Sequence, residues 1–183
     1  MSLRMTLSAV ACAAFFLNAP AGAEGLKLVP DDSKISFVGT KPDGKHDGGF
    51  KKFAADATLN PENPLDASLK VVIQTASLWS DNPKLTNHLK NPDFFDVRKY
   101  PEIRFESDKM VAGDEPRTGK MIGKLTMLGK TETVEVPVVC VAKSDGATLT
   151  AEFKIDRTKW GMTYGQGKID NDVAIKATLK FVP

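Results

Sequence analysis

Asn87–Phe105 reads NHLKNPDFFDVRKYPEIRF: three phenylalanines, a tyrosine, two prolines and a cluster of charges within nineteen residues. A Pro-started helical segment runs into it, and an alternating strand grows out of its end. Almost everything else in the chain alternates with a period of two. A compact insert of this kind in a series of antiparallel strands is expected to close or gate one end of a barrel. What the barrel holds is then the functional question.

Outward from this stretch, the alternation defines eight strands. Ser33–Thr40 sets Ile35 and Phe37 against Ser36 and Val38. Lys41–Gly49 (KPDGKHDGG) reads as a turn region, because Pro, Asp and Gly supply special backbone angles. Phe50–Leu59 places Phe53, Ala55, Ala57 and Leu59 on one face. Phe50 is out of phase with Phe53, so a bulge is expected near Lys51-Lys52. Asn60–Pro64 is a turn, and Ser68–Thr75 is a strand with Leu69, Val71 and Ile73 together. Asn82-Pro83 reads as N-cap and first helical residue of a short helix, with Leu85 and Leu89 on its apolar side. Strands follow over Glu102–Asp108, Gly119–Leu128, Thr133–Ala142, Ala147–Asp156 and Asp172–Val182. Pro137 inside one of them predicts a bulge or an edge. Arg157–Asn171 is a loop rich in glycine and aromatics.

Regular strands with short turns suit a sandwich or an up-and-down barrel. The inward faces favour the barrel. They mix large residues with Ala55, Ala57, Ala67, Gly123, Ala151 and Ala177, and small inward residues leave room for one small ligand.

Residues 1–23 read as a secretory signal peptide. Arg4 precedes a thirteen-residue apolar run, Met5–Leu17, and Pro20 breaks it before a small-residue cleavage site at Ala21-Gly22-Ala23. The run is too short to span a bilayer. Removing these 23 of 183 residues leaves 160, enough for one domain, 24–183, with a sizeable core. It leaves 24 basic against 23 acidic residues, which points to neither nucleic acid nor an anionic membrane surface. Cys140 then stands alone and reads as a small buried hydrophobe.

The chain resembles the YceI-like family of exported lipid-binding proteins over almost all of residues 24–183. The resemblance is carried by SKISFVGTK (33–41), HDGGFKKF (46–53), NHLKNPDFFDVRKYPEIRFES (87–107), GKLTMLGKTETVEVPV (123–138) and FKIDRTKWGMTYGQGKIDNDVAIKATL (153–179). The order helix, Pro, paired Phe, Tyr-Pro, strand is its most specific part. The resemblance implies an all-β fold: an extended, eight-stranded, antiparallel, lipocalin-like β-barrel with a short helix between strands 3 and 4. It implies a long apolar ligand in the tunnel, typically a polyisoprenoid or isoprenoid quinone, sometimes a fatty-acid-derived lipid. It further implies a periplasmic or secreted location and no shared catalytic activity or cofactor.

The aromatics and inward apolar residues give the candidate ligand site. Phe37, Phe53, Phe105, Leu125, Met127 and Phe153 are the expected wall, with Ala57 and Ala151 leaving room. Leu85, Leu89, Phe94 and Phe95 are the expected plug, and Trp160, Met162 and Tyr164 suit the mouth. No catalytic or metal site is expected. His46 and His88 stand on different elements without HExxH or paired-Cys spacing, and each reads as a surface histidine. No GxSxG exists, and Cys140 has no neighbouring base. The leading function is lipid carriage or storage in the cell envelope. The alternatives are an envelope interaction or stress-response protein with a filled barrel, and a cavity enzyme acting on a lipid. Transient membrane contact and a homodimer stay open as partner modes.

Overall fold

The computed structural model describes residues 24–60 and 62–183. The signal-peptide reading of residues 1–23 lies outside the described residues. In chain order the elements are β1 (Glu24–Leu28), β2 (Lys34–Lys41), β3 (Gly44–Phe50), β4 (Phe53–Leu59), β5 (Ser68–Gln74), β6 (Leu78–Ser80) and α1 (Pro83–Leu89). They continue as β7 (Glu102–Ala112), β8 (Thr118–Met127), β9 (Lys130–Lys143), β10 (Gly146–Asp156) and β11 (Asp172–Val182).

Every pairing between these strands is antiparallel. β4, β5, β7, β8, β9, β10 and β11 follow one another around a ring, and β1 closes it by pairing with both β4 and β11. The remaining strands extend three of these staves. β2 follows β1 along β11, β3 pairs with β2 and runs into β4, and β6 pairs with β3 and continues β5. The result is the expected closed eight-stranded barrel, with three of its staves broken in two.

The breaks have local causes. Between β3 and β4, Lys51 and Lys52 are exposed while Phe50 is buried. This is the irregularity expected from the phase slip. Here the chain leaves β2, and the Lys51 and Lys52 amides turn to the carbonyl and hydroxyl of Ser77. Pro137 sits where β9 loses a neighbour. Val138–Lys143 pair with β10, whereas Lys130–Val136 pair with β8 alone. A residue without an N–H is tolerated at such an edge.

Three strands escape the alternation argument, and one region needs correction. Lys41–Gly49 is not a turn region: all but Pro42-Asp43 belongs to the β2–β3 hairpin, with Phe37 opposite Gly48 and Ser36 opposite Gly49. On its inner face the Gly48 position carries no side chain because the Phe37 ring fills that space. A Cβ on Gly48 would lie 2.4 Å from the Phe37 ring. Its outer face is covered by Trp79, whose Nε1 would lie 3.0 Å from a Cβ on Gly49. Glu24–Leu28 and Leu78–Ser80 are the other two strands, both too short to show a period.

Small inward residues also act differently from expectation. A Cβ on Gly123 would fall 2.4 Å from the Glu106 carbonyl oxygen, at the register shift between Ser107 and Lys109 of β7. Gly123 admits this bulge and adds no room inside. Ala55 is buried within the core cluster, and Ala57 and Ala67 pack against it.

The helix forms as its cap predicts. The Asn82 side chain accepts hydrogen bonds from the amides of Lys84 (2.9 Å) and Leu85 (3.1 Å), and Pro83 takes the first helical position. An Asn-to-Ala change at such a cap costs about 1 kcal/mol. Asn82→Ala is therefore expected to speed hydrogen exchange of the α1 amides about fivefold, with β8 and β10 unaltered; unchanged α1 protection would show that the cap contributes nothing.

Candidate functional site

A cavity of about 250 Å³ runs inside the barrel and is lined almost wholly by apolar side chains. Its walls come from nearly every stave. They include Leu69, Val71 and Ile73 of β5, Ile103 and Phe105 of β7, and Met121, Leu125 and Met127 of β8. Val134, Val136 and Val138 of β9, Leu149, Ala151 and Phe153 of β10, and Val173, Ile175, Ala177 and Leu179 of β11 complete them. The alternation puts these residues on the inner face because successive strand side chains point to opposite sides.

Residues 83–101 close one end. Leu85, Leu89, Phe94 and Phe95 all line the cavity from above. Phe95 sits against two rings of the β2–β3 hairpin, 5.7 Å from Phe50 edge-on and 6.4 Å from Phe37. Phe94 lies 5.2 Å from Tyr164 and 5.0 Å from the His88 ring, which itself lies 4.8 Å from Tyr164. The plug and the 161–171 loop are thereby clasped together on the outside.

Of the fifteen residues expected to face a ligand, Phe37, Leu85, Leu89, Phe94, Phe95, Phe105, Leu125, Met127, Ala151, Phe153 and Met162 line this cavity. Four do not. Phe53 faces a separate, polar crevice between the Pro30–Ser33 turn and the Lys51-Lys52 break. Ala57 lies in register between Leu26 and Leu69 and packs against the core without lining the cavity. Trp160 is 2% exposed, and its Nε1 donates to the Leu125 carbonyl at 3.0 Å, so it pins the loop to β8. Tyr164 is 46% exposed and stacks outside the plug.

A few polar residues also border the cavity, none of them among the expected ligand-facing residues. They are Thr40, Lys41, His46, Ser80 and Arg157, with Ser36 lower on the β2 wall. Arg157 is 3% exposed. Its Nε donates to the Asp170 carbonyl (3.1 Å), Nη1 to those of Met162 (2.7 Å) and Tyr164 (2.9 Å), and Nη2 to that of Ile169 (3.3 Å). Burial pushes this guanidinium below its usual range, and the charge of Asp156 opposes the shift. His46 contacts Asp81 through Nδ1 at 3.0 Å, and His88 contacts Asp93 through Nε2 at 2.9 Å. Both histidines keep the partly exposed positions expected of them, but His46 also borders the cavity. Burial raises the Cys140 thiol, which keeps it protonated. Among the described residues, no three His, Cys, Asp or Glu side chains converge as metal ligands would. The arrangement as a whole is an apolar cavity enclosed by the barrel.

A family model described as a YceI-like domain matches residues 26–181. UPF0312 protein PputGB1_5030 of Pseudomonas putida (strain GB-1) is 38% identical over 87 residues, 48% of this chain and 45% of that protein. The chain thus spans about half the length of this relative and of its Pseudomonas putida counterparts. The crystal structure of Burkholderia cenocepacia BcnA matches with a TM-score of 0.75 and 27% identity, over 84% of this chain and 98% of that one. A polyisoprenoid binding domain from Saccharophagus degradans, implicated in plant cell wall breakdown, matches with a TM-score of 0.67 and 12% identity, over 86% and 98%. At that identity the last likeness is one of fold.

Proposed function

Since this chain belongs to the YceI-like domain family, we propose that it is a binding protein that holds a long apolar ligand in its barrel. The ligand class is a polyisoprenoid, isoprenoid quinone or related lipid, and the role is carriage or storage in the cell envelope after export. One observation carries the reading: the eight staves enclose an apolar cavity, not a filled core. The polyisoprenoid binding named for the Saccharophagus degradans domain supports it by analogy of fold. Export rests on the apolar run Met5–Leu17 and the Ala21-Gly22-Ala23 site.

Magnitudes limit what the cavity can select. Each buried methylene contributes about 0.8 kcal/mol, so a five-carbon isoprene unit contributes about 4 kcal/mol. Eight units would sum to about 30 kcal/mol, above the ceiling of about 18–21 kcal/mol for non-covalent binding. Ordering of the chain must offset the difference. The cavity, at about 250 Å³, is just below the ~300–1,000 Å³ of ordinary ligand pockets. A chain of several isoprene units fits only when the plug moves or the chain extends past it. Length of the passage, more than number of contacts, is what selects the ligand.

Native mass spectrometry of protein purified from its own envelope, with lipid extraction, tests both parts. The expected result is a chain beginning at Glu24 that carries stoichiometric isoprenoid or other long-chain lipid. Ala151 is buried on the cavity wall, and Ala151→Trp is expected to lower lipid occupancy below half while the barrel still folds. Overpacking strain of about 1–3 kcal/mol accompanies the change. A folded variant with full lipid content would remove Ala151 from the site; lipid-free protein from the native envelope would remove the function.

A further inference from the structure

We propose that the break in the barrel wall beside Phe50 is a side window, and that the crevice outside it seats the terminal isoprene units of a long apolar chain whose body fills the barrel. This rests on the lipid-binding reading and adds where the excess length goes. Two observations carry it. First, the wall has no backbone ladder at this place. β1 pairs with β4 only as far as Lys27 opposite Asp56, and β2 joins β3 only from Ile35 opposite Phe50. Between these two rungs one side is the short helical turn Pro30–Asp32, and on the other side Phe53, Ala54 and Ala55 pair with β5 alone. Second, the spaces inside and outside this break share a boundary. Ile35 and Phe50 border both the barrel cavity and the crevice. Side chains, and not a ladder, part the two.

Size and chemistry fit this use. The cavity holds about 250 Å³ and the crevice about 560 Å³. The cavity alone falls below the ~300–1,000 Å³ of ordinary ligand pockets, and the two together fall within it. Phe50 is held from the plug side by the Phe95 ring at 5.7 Å, so an opening of the plug also loosens the partition. A partition of packed side chains shifts at lower cost than a hydrogen-bonded strand. Outside it, Phe53, Val72 and Trp79 give the crevice apolar surface. Lys34, Lys51 and Lys52 line it too and are exposed. Lysine stems cover apolar surface while their ammonium groups stay in water. Asp31, Gln74 and Glu102 complete a mixed lining, which suits a chain end left partly in water.

The experiment compares a short prenol, farnesol, with a long one, solanesol, on the full chain from Glu24. Ala54 lines the crevice, is exposed and does not border the cavity. In Ala54→Trp, which fills the crevice from outside, solanesol is expected to bind at least fivefold more weakly and farnesol as in the parent. A second variant needs no bulky side chain: Ala54→Cys/Cys140→Ser carries an acrylodan label at position 54. Solanesol is expected to shift its emission to the blue, and farnesol to leave it unmoved. Parent-like binding of both prenols in Ala54→Trp, with a label silent to both, overturns the window and leaves the lipid site standing. An equal shift with farnesol overturns it in favour of an independent surface site. A shift with farnesyl phosphate but with neither prenol overturns it in favour of a head-group seat in the crevice. Failure of both prenols to bind the parent chain overturns the lipid reading itself.

Discussion

Arg157→Met lowers stability by about 3 kcal/mol and loosens residues 161–171 first. The residue supplies what a strand ladder would otherwise supply. Between β10 and β11 the chain runs from Gly161 to Asn171 without a strand, so its carbonyls have few backbone partners. The Arg157 guanidinium gathers four of them, on Met162, Tyr164, Ile169 and Asp170. Methionine keeps the apolar stem and removes every donor. Each orphaned carbonyl costs about 1 kcal/mol, and release of the buried charge offsets part of the total. For a domain of this length 1 kcal/mol moves the midpoint by about 2–4 °C, so thermal unfolding should fall by about 6–12 °C. Lysine has three donors on one nitrogen and lacks the planar fork, so Arg157→Lys should recover less than half of the loss. A midpoint within 2 °C of the parent, with loop amides protected as before, would refute this account of the loop.

Arg157 also marks where the sequence ceases to be readable. Taken alone, an arginine after a strand reads as a solvated charge, because arginine is almost never fully buried without a partner. Its partners are main-chain carbonyls, which have no sequence identity. They converge only when the loop has folded. The β2–β3 hairpin fails for a related reason. Gly48 and Gly49 carry no alternation of their own, since the side chains that cover them belong to Phe37 and Trp79. By contrast, the features that depend on local chemistry were legible: the Asn82 cap with Pro83, the break at Lys51-Lys52, and the loss of pairing at Pro137. The same holds for the apolar wall, because period two fixes which face a residue occupies. Period does not fix depth. Ala57 and Ala151 share the inward phase, yet only Ala151 reaches the cavity. The polar residues at the cavity border were missed because Lys41 and His46 lie in the hairpin that reads as a turn region, and Arg157 follows the end of β10.

Phe95→Ala is expected to speed ligand release to lipid vesicles about tenfold while the thermal midpoint falls by less than about 4 °C. We place the entrance at the plug because of how that segment is held. Among the described residues, the backbone amides of residues 86–100 that bond to other backbone groups bond within residues 82–96, to none of the barrel strands. The segment is tied at its ends. Thr86 Oγ1 accepts from the Ser80 amide, and Thr75 reaches Tyr100 and Pro101 through its hydroxyl and amide. Between these ties it depends on side-chain packing, chiefly Phe95 on Phe37 and Phe50 and Phe94 on Tyr164. A seven-residue helix has little stability of its own. Elements held in this way open at lower cost than ladder-bonded strands. Truncating a fully buried Phe costs about 3–5 kcal/mol; Phe95 is half-buried, so about 1.4 kcal/mol on the opening step is reasonable, and that is tenfold in rate. The loss falls on local opening more than on global unfolding, which is why rate and midpoint should separate. Hydrogen exchange should then show residues 83–100 opening before β8 around Leu125 and β10 around Phe153. Equal protection across all three, with ligand release unchanged in Phe95→Ala, would move the entrance away from the plug, to the far end of the barrel or to the β9–β10 edge.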